Sequence, residues 1–161
     1  MFVIRPARKD DAPEACALIH RSITELCAED HGGDPIALTG WLANKTVRNL
    51  DIWFTQLGLY SFIAEQDGKI IGLGTLSGGG EIMLLYVLPD ARFQGVSTAL
   101  LARMEEQTQA LHREICSLTS SLTARRFFLS RGYELMPSEE EDDGLGLDAP
   151  VNFSKVLKPK D

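Results

Sequence analysis

Arg92, Gly95 and Ser97 have the types and spacing to hold a phosphate at the start of a helix. A helix start presents amides with no partner inside the helix, together with the positive end of the dipole, and a glycine lets an anion approach that backbone closely. The flanking residues supply the elements such a site needs. The apolar run Ile82 to Leu88 is short and ends at Pro89, which cannot donate to a sheet ladder, so it reads as a strand. Leu100, Leu101, Met104, Thr108 and Leu111 then recur at helical spacing, which leaves Asp90 to Ser97 as the loop and first turn between strand and helix. A nucleotide-hydrolase phosphate loop is excluded, because no Gly-Lys-Ser/Thr follows Gly95.

The 161 residues, 44% of them apolar, suit one domain over residues 1–161 with a sizeable core. No run approaches the roughly 20 apolar residues that cross a bilayer, and Met1 to Pro6 lack a signal-peptide design, so a cytoplasmic protein without a membrane partner is expected. Cys16, Cys27 and Cys116 are odd in number and widely separated; neither a disulfide framework nor a metal site is expected. The net charge of −7 argues against nucleic acid and suits a small cationic partner. Part of that charge sits in the acidic run Glu139 to Asp143, read as a solvated loop.

Along the chain, Phe2 to Arg5 read as a strand closed by Pro6. Asp10 or Asp11 can cap a helix with Pro13 near its start and Ala15, Leu18, Ile19, Ile23 and Leu26 as its apolar stripe. His31 to Pro35 form a break, and a second helical region carries Leu38, Trp41 and Leu42 and continues through Ile52 and Phe54. Leu59 to Glu65 and Lys69 to Leu76 flank Asp67-Gly68, a hairpin signal. Ser77 to Gly80 turn the chain into the strand from Glu81. After the central helix come a strand at Glu114 to Leu118, a helix at Ala124 to Arg131, and strands at Tyr133 to Met136 and Val151 to Leu157. The expected fold is α/β (α+β), with a single mixed, mostly antiparallel sheet of about seven strands flanked by helices.

Val-x-Pro-x-x-Arg-x-x-Gly-x-Ser-x-x-Leu-Leu, from Val87 to Leu101, resembles the pyrophosphate-binding signature of the GNAT superfamily of acyl-CoA-dependent N-acetyltransferases, here of the small stand-alone bacterial type. The element order matches that family from Phe2 to about Leu157. The resemblance implies acetyl-CoA as donor substrate, no metal, an amine or peptide acceptor, and a monomer or homodimer. It implies a cofactor site at Leu85, Tyr86 and Val87, whose strand backbone would pair with the pantetheine arm, and at Arg92, Phe93, Gln94, Gly95, Val96, Ser97 and Thr98 around the pyrophosphate. Phe93 stands where many members carry glycine.

Ser121, Ala124, Phe127, Phe128, Gly132 and Tyr133 resemble a second family element, Asn-x-x-Ala-x-x-Phe-Tyr-x-x-x-Gly-Phe, and Ser121, Ala124, Phe127 and Phe128 join the implied cofactor site. Phe128 replaces the tyrosine proposed in relatives to protonate the departing thiolate. An alkyl thiol of pKa about 8.5 leaves tolerably without a dedicated acid, so a slower enzyme or a substitute donor is expected, from Tyr133, Tyr86, Ser130 or water. Deprotonation is the harder step, because an amine of pKa about 10.4 is neutral in only about one molecule in 10³–10⁴ at pH 7. Several relatives use a glutamate at the place of Glu81 as base, which makes Glu81 the catalytic candidate. Strand alternation puts Glu81, Met83, Leu85 and Val87 on one face and Ile82, Leu84 and Tyr86 on the other, unless a bulge shifts the parity. Acceptor candidates are His20, Arg21, His31, Trp41 and the acidic run. The alternative function, favoured by Phe128, is a non-catalytic acyl-CoA-binding or sensing module.

Overall fold

A computed structural model describes residues 1–121, 123–136 and 151–157. Strand β1 (Val3–Pro6) leads through a 3₁₀ turn (Lys9–Asp11) into helices α1 (Ala12–Leu26), α2 (Ala28–His31), α3 (Pro35–Leu42) and α4 (Val47–Thr55). Strands β2 (Leu59–Gln66), β3 (Lys69–Ser77) and β4 (Glu81–Val87) follow, then a 3₁₀ turn (Pro89–Ala91), α5 (Val96–Ala110), β5 (Ile115–Ser120), α6 (Arg125–Ser130), β6 (Glu134–Leu135) and β7 (Val151–Val156). The strands form one seven-stranded sheet in the order β1-β2-β3-β4-β5-β7-β6. Every neighbouring pair is antiparallel except β4 and β5, which are joined by the α5 crossover. This is the expected mixed, mostly antiparallel sheet.

Local chemistry accounts for the boundaries. Pro6 lies inside β1 rather than after it, and an edge strand tolerates the missing N–H. Asp67 and Gly68 both adopt left-handed backbone, as a two-residue hairpin turn requires. Asp11 occupies the cap position of α1, yet its carboxylate serves other donors: Arg5 at 2.8 and 2.9 Å and the Arg8 N–H at 2.7 Å. Arg5 also donates to Glu65 at 2.7 Å, tying β1, β2 and α1 together. The second helical region does not run through to Phe54 unbroken. Its first helix stops at Leu42, and the Lys45 carbonyl, which an unbroken helix would give to the Asn49 N–H, instead accepts from the Cys16 thiol and from His20 Nε2 at 2.6 Å, while Thr46 caps α4 through the Asn49 N–H at 3.1 Å. The core lies on both faces of the sheet: Leu18, Ile19 and Ile23 of α1 and Leu50 of α4 on one side, Leu100, Leu101 and Met104 of α5 on the other.

The Arg5 guanidinium holds the Asp11 carboxyl below its ordinary value of 3.8. A carboxyl depressed in the folded state stabilises the fold above its unfolded value, and that contribution is lost as pH falls through the folded one. Asp11→Asn is therefore expected to lower the melting temperature at pH 7, with the difference from wild type shrinking as pH falls below 3.8 through the depressed Asp11 value. Parallel melting curves across that pH range check this.

The parity of β4 departs from simple alternation. Thr75 pairs with Leu84 and Leu76 with Ile82, which leaves Met83 as an extra residue without a partner on β3. Cross-strand partners share a face. Ile82 therefore joins Leu85 and Val87 on the α5 side, while Glu81 moves to the side of Leu84 and Tyr86, towards α1. The expected grouping of Glu81 with Leu85 and Val87 is overturned by this bulge.

Candidate active site

Strands β4 and β5 pair only where the first two residues of β4 meet the middle of β5, Glu81 with Ser117 and Ile82 with Leu118. Beyond Ile82, the backbone of β4 has no strand partner on the β5 side. The wedge between the strands is a cavity of about 760 Å³. Its floor is β4 from Ile82 to Val87, and one wall is the end of β5 with Ala124, Phe127 and Phe128. A second wall comes from α1 to α3 through Ser22, Cys27, Asp30, His31 and Trp41.

At the end of β4, Leu88 and Pro89 open the 3₁₀ turn and Arg92 leads into α5. Gly95 is the cap residue of α5 with φ 81°, and no side chain caps the helix. The first amides, at Val96, Ser97 and Thr98, border the cavity without a side-chain partner. Arg92 lines the same stretch, its guanidinium carbon 4.7 Å from the centre of the Phe93 ring. Backbone amides, the helix dipole and one cation here have the chemistry that suits an anion. Phe93 holds φ 64°, the left-handed backbone that a glycine adopts freely, and its side chain is 93% exposed. For a residue with a Cβ that conformation costs about 1–2 kcal/mol.

Leu85, Tyr86, Val87, Arg92, Phe93, Gly95, Val96, Ser97, Thr98, Ser121, Ala124, Phe127 and Phe128 all line the one cavity. Gln94 does not; it faces a separate hollow beside Gln66, Asp67 and Lys69. Ser121 Oγ accepts from the Ala124 N–H at 3.4 Å, so it serves the turn into α6. Phe128 is buried and packs edge-on against Phe127 at 5.2 Å and Tyr133 at 5.5 Å. Among the proposed replacement acids, Tyr133 donates to Glu105 at 3.2 Å and Ser130 to the Phe127 carbonyl at 2.6 Å, and neither borders the cavity. Tyr86 does border it. Burial, with a smaller contribution from the Asp30 charge, pushes its pKa up to about 12.

Glu81 is exposed at the start of β4 and lies outside the cavity lining. Of the acceptor candidates, Trp41 and His31 border the cavity; His31 Nε2 is 3.1 Å from the Ile23 carbonyl and Nδ1 accepts from the Gly33 N–H at 3.0 Å, so both ring nitrogens are engaged. His20 is held by the Lys45 carbonyl, and Arg21 pairs with Glu25 and Asp90; neither lines the cavity. The acidic run Glu139 to Asp143 lies outside the described residues. Sequence reasoning missed Cys27, Asp30 and Thr123. The Thr123 N–H donates to Asp30 Oδ2 at 3.1 Å and its hydroxyl donates to the same oxygen, across 93 positions of sequence. Burial, assisted by the Asp30 charge, pushes the Cys27 thiol up to about 11, so at neutral pH it is protonated and a poor nucleophile.

Residues 44–147 match the family described as Acetyltransferase (GNAT) domain. The chain belongs to the GNAT acetyltransferase family. An uncharacterized N-acetyltransferase of Methanocaldococcus jannaschii is 33% identical over 109 residues, 62% of this chain and 68% of that one. A GCN5-related N-acetyltransferase from Rhodopseudomonas palustris superposes with a TM-score of 0.82 at 27% identity, covering 96% of this chain and 95% of that one. PaiA N-acetyltransferase from Thermoplasma acidophilum, solved in complex with coenzyme A, has a TM-score of 0.81 at 15% identity over 98% and 99% of the two chains, a likeness of fold. This acetyltransferase has, among its described residues, no helix long and apolar enough to cross a membrane and no group of three or more His, Cys, Asp or Glu side chains that could hold a metal.

Proposed function

We propose that this acetyltransferase moves an acetyl group from acetyl-CoA to the amine of a small cationic acceptor by direct attack. The observation that carries the reading is the splayed β4 edge, which ends at the uncapped first turn of α5 within one cavity. Backbone groups of β4 beyond Ile82 lack a strand on the β5 side, and buried backbone polar groups require partners. The amides of a pantetheine arm would act as that missing strand, with the pyrophosphate on the Gln94 to Thr98 turn beside Arg92. The complex of the Thermoplasma protein with coenzyme A supports the same use of the fold.

In the reaction, the neutral amine nitrogen attacks the thioester carbonyl carbon, amides near Leu85 to Val87 stabilise the developing oxyanion, and the carbon–sulfur bond breaks. Glu81 lies outside the cavity but on the Tyr86 side of β4, which suits removal of the amine proton through water. Tyr86, with its pKa near 12, keeps its proton over the working range and can hydrogen-bond the leaving sulfur. The protonated Cys27 thiol disfavours an acyl-cysteine intermediate.

For Glu81 the test is the pH–rate profile of Glu81→Gln. A general base contributes about 10²–10⁴-fold, so the variant is expected to lose at least about 10²-fold in kcat/KM at neutral pH and to recover as pH rises towards the amine pKa. Indistinguishable profiles would remove Glu81 as base. Phe128 at the tyrosine position favours the second reading, an acyl-CoA-binding module without turnover.

A further inference from the structure

Phe93 holds φ 64°, a conformation that a bulky residue adopts only at a cost and that glycine would adopt freely. The turn therefore accounts for the backbone but not for the phenyl ring. Nothing in the fold repays that ring. Among the described residues every other Phe, Tyr and Trp is buried or half-buried, whereas Phe93 is exposed. It still borders the cavity, so it stands at the rim, beside the amides of Val96, Ser97 and Thr98 that open α5. The Arg92 guanidinium lies over the ring, and Gln94 on the far side of Phe93 faces the separate hollow. A strained and exposed aromatic at the mouth of a cavity, backed by a cation, is a flat surface with no partner inside the chain.

The shape of the donor indicates what would cover it. With the pyrophosphate on the Gln94 to Thr98 turn and the pantetheine arm running inward along β4, the adenosine of coenzyme A is left on the solvent side, at the rim where Phe93 stands. Adenine offers a flat π face, and a base stacks on an aromatic ring without needing a side-chain hydrogen bond. We propose that Phe93, backed by Arg92, is the stacking platform for the adenine of coenzyme A. The platform makes Phe93 a specificity-determining residue: it favours the free nucleotide thioester over a phosphopantetheine thioester that lacks the base. This rests on the acyl-CoA reading of the site, but not on transfer to any acceptor.

The test is calorimetric titration of CoA, and of 4′-phosphopantetheine by competition with CoA, into wild type, Phe93→Gly and Phe93→Leu. Glycine removes the ring and relieves the backbone; leucine removes the aromatic face but keeps apolar bulk and the left-handed strain, so stacking separates from an effect on the turn. Phe93→Gly is expected to bind CoA about tenfold more weakly and Phe93→Leu at least about threefold more weakly, with 4′-phosphopantetheine held within about twofold of wild type by both. In proton NMR spectra the adenine H2 and H8 resonances should move upfield on binding to wild type and not on binding to Phe93→Leu, a ring-current signature that a merely structural role would not give. Unaltered CoA affinity in Phe93→Gly, or equal losses for the two ligands, would overturn the proposal. The two readings fail separately: a wild type that binds neither ligand removes the acyl-CoA reading itself, whereas CoA bound with the same preference over 4′-phosphopantetheine by all three proteins removes only the platform.

Discussion

Gly95→Glu is expected to weaken acetyl-CoA binding by at least about 10²-fold. Gly95 holds φ 81°, where any other side chain is strained, although no atom lies within 4 Å of the position a Cβ would take. The strain alone is about 1–2 kcal/mol. The new carboxylate would occupy the helix N-terminus and repel the pyrophosphate, reversing an interaction worth a further 1–2 kcal/mol or so. Gly95→Asn separates the two effects, because asparagine tolerates left-handed backbone and carries no charge. Calorimetric titration of the three proteins with acetyl-CoA should rank wild type, then asparagine, then glutamate. Unaltered affinity in the glutamate variant would mean that the pyrophosphate binds elsewhere.

Gly80→Ala is expected to have the largest effect on stability. Gly80 holds φ 88°, and a Cβ there would lie 2.6 Å from the Ile115 carbonyl oxygen. That oxygen belongs to a strand, so it cannot move as the tip of a side chain can. The Gly80 carbonyl also accepts the Ser117 N–H at 2.9 Å, next to the two residue pairs that join β4 to β5. Backbone strain and overpacking together cost about 3 kcal/mol, equivalent to a fall of roughly 6–12 °C in melting temperature for a chain of this size. Donor affinity should fall with it, because the wedge hinges at this junction. Gly79→Ala is the control: its φ is not left-handed and its nearest neighbour is Ser77 Oγ at 3.8 Å. Equal melting of the two variants would contradict the hinge.

The strand, turn and helix around Gly95 were legible because each carries its own local signal: Pro89 ends the strand, Gly95 opens the helix and Leu100 to Thr108 repeat at helical spacing. Asp67-Gly68 likewise encodes its own turn. What escaped depends on groups remote in sequence. The bulge at Met83 is a matter of register between β3 and β4, and it alone decides which face Glu81 takes. The division between α3 and α4 involves Cys16 and His20, which reach the Lys45 carbonyl. Tyr133 lies in a segment of family character, but its hydroxyl belongs to Glu105, 28 positions earlier, and so it turns away from the cavity. Asp30 becomes a site residue only because the fold brings α2 to Thr123. A short helix before a glycine pair gives no hint of that in sequence.

The wedge between β4 and β5 is proposed to transfer acetyl groups rather than merely to hold acyl-CoA. The most direct test is the release of free CoA thiol from acetyl-CoA, followed with and without an amine panel, with the product identified by mass. Amine-dependent release of one thiol per acetylated amine, lost in Gly95→Glu, is the predicted result. Acetyl-CoA bound at the Gly95 turn but left intact by every amine would contradict it and leave the chain an acyl-CoA-binding module.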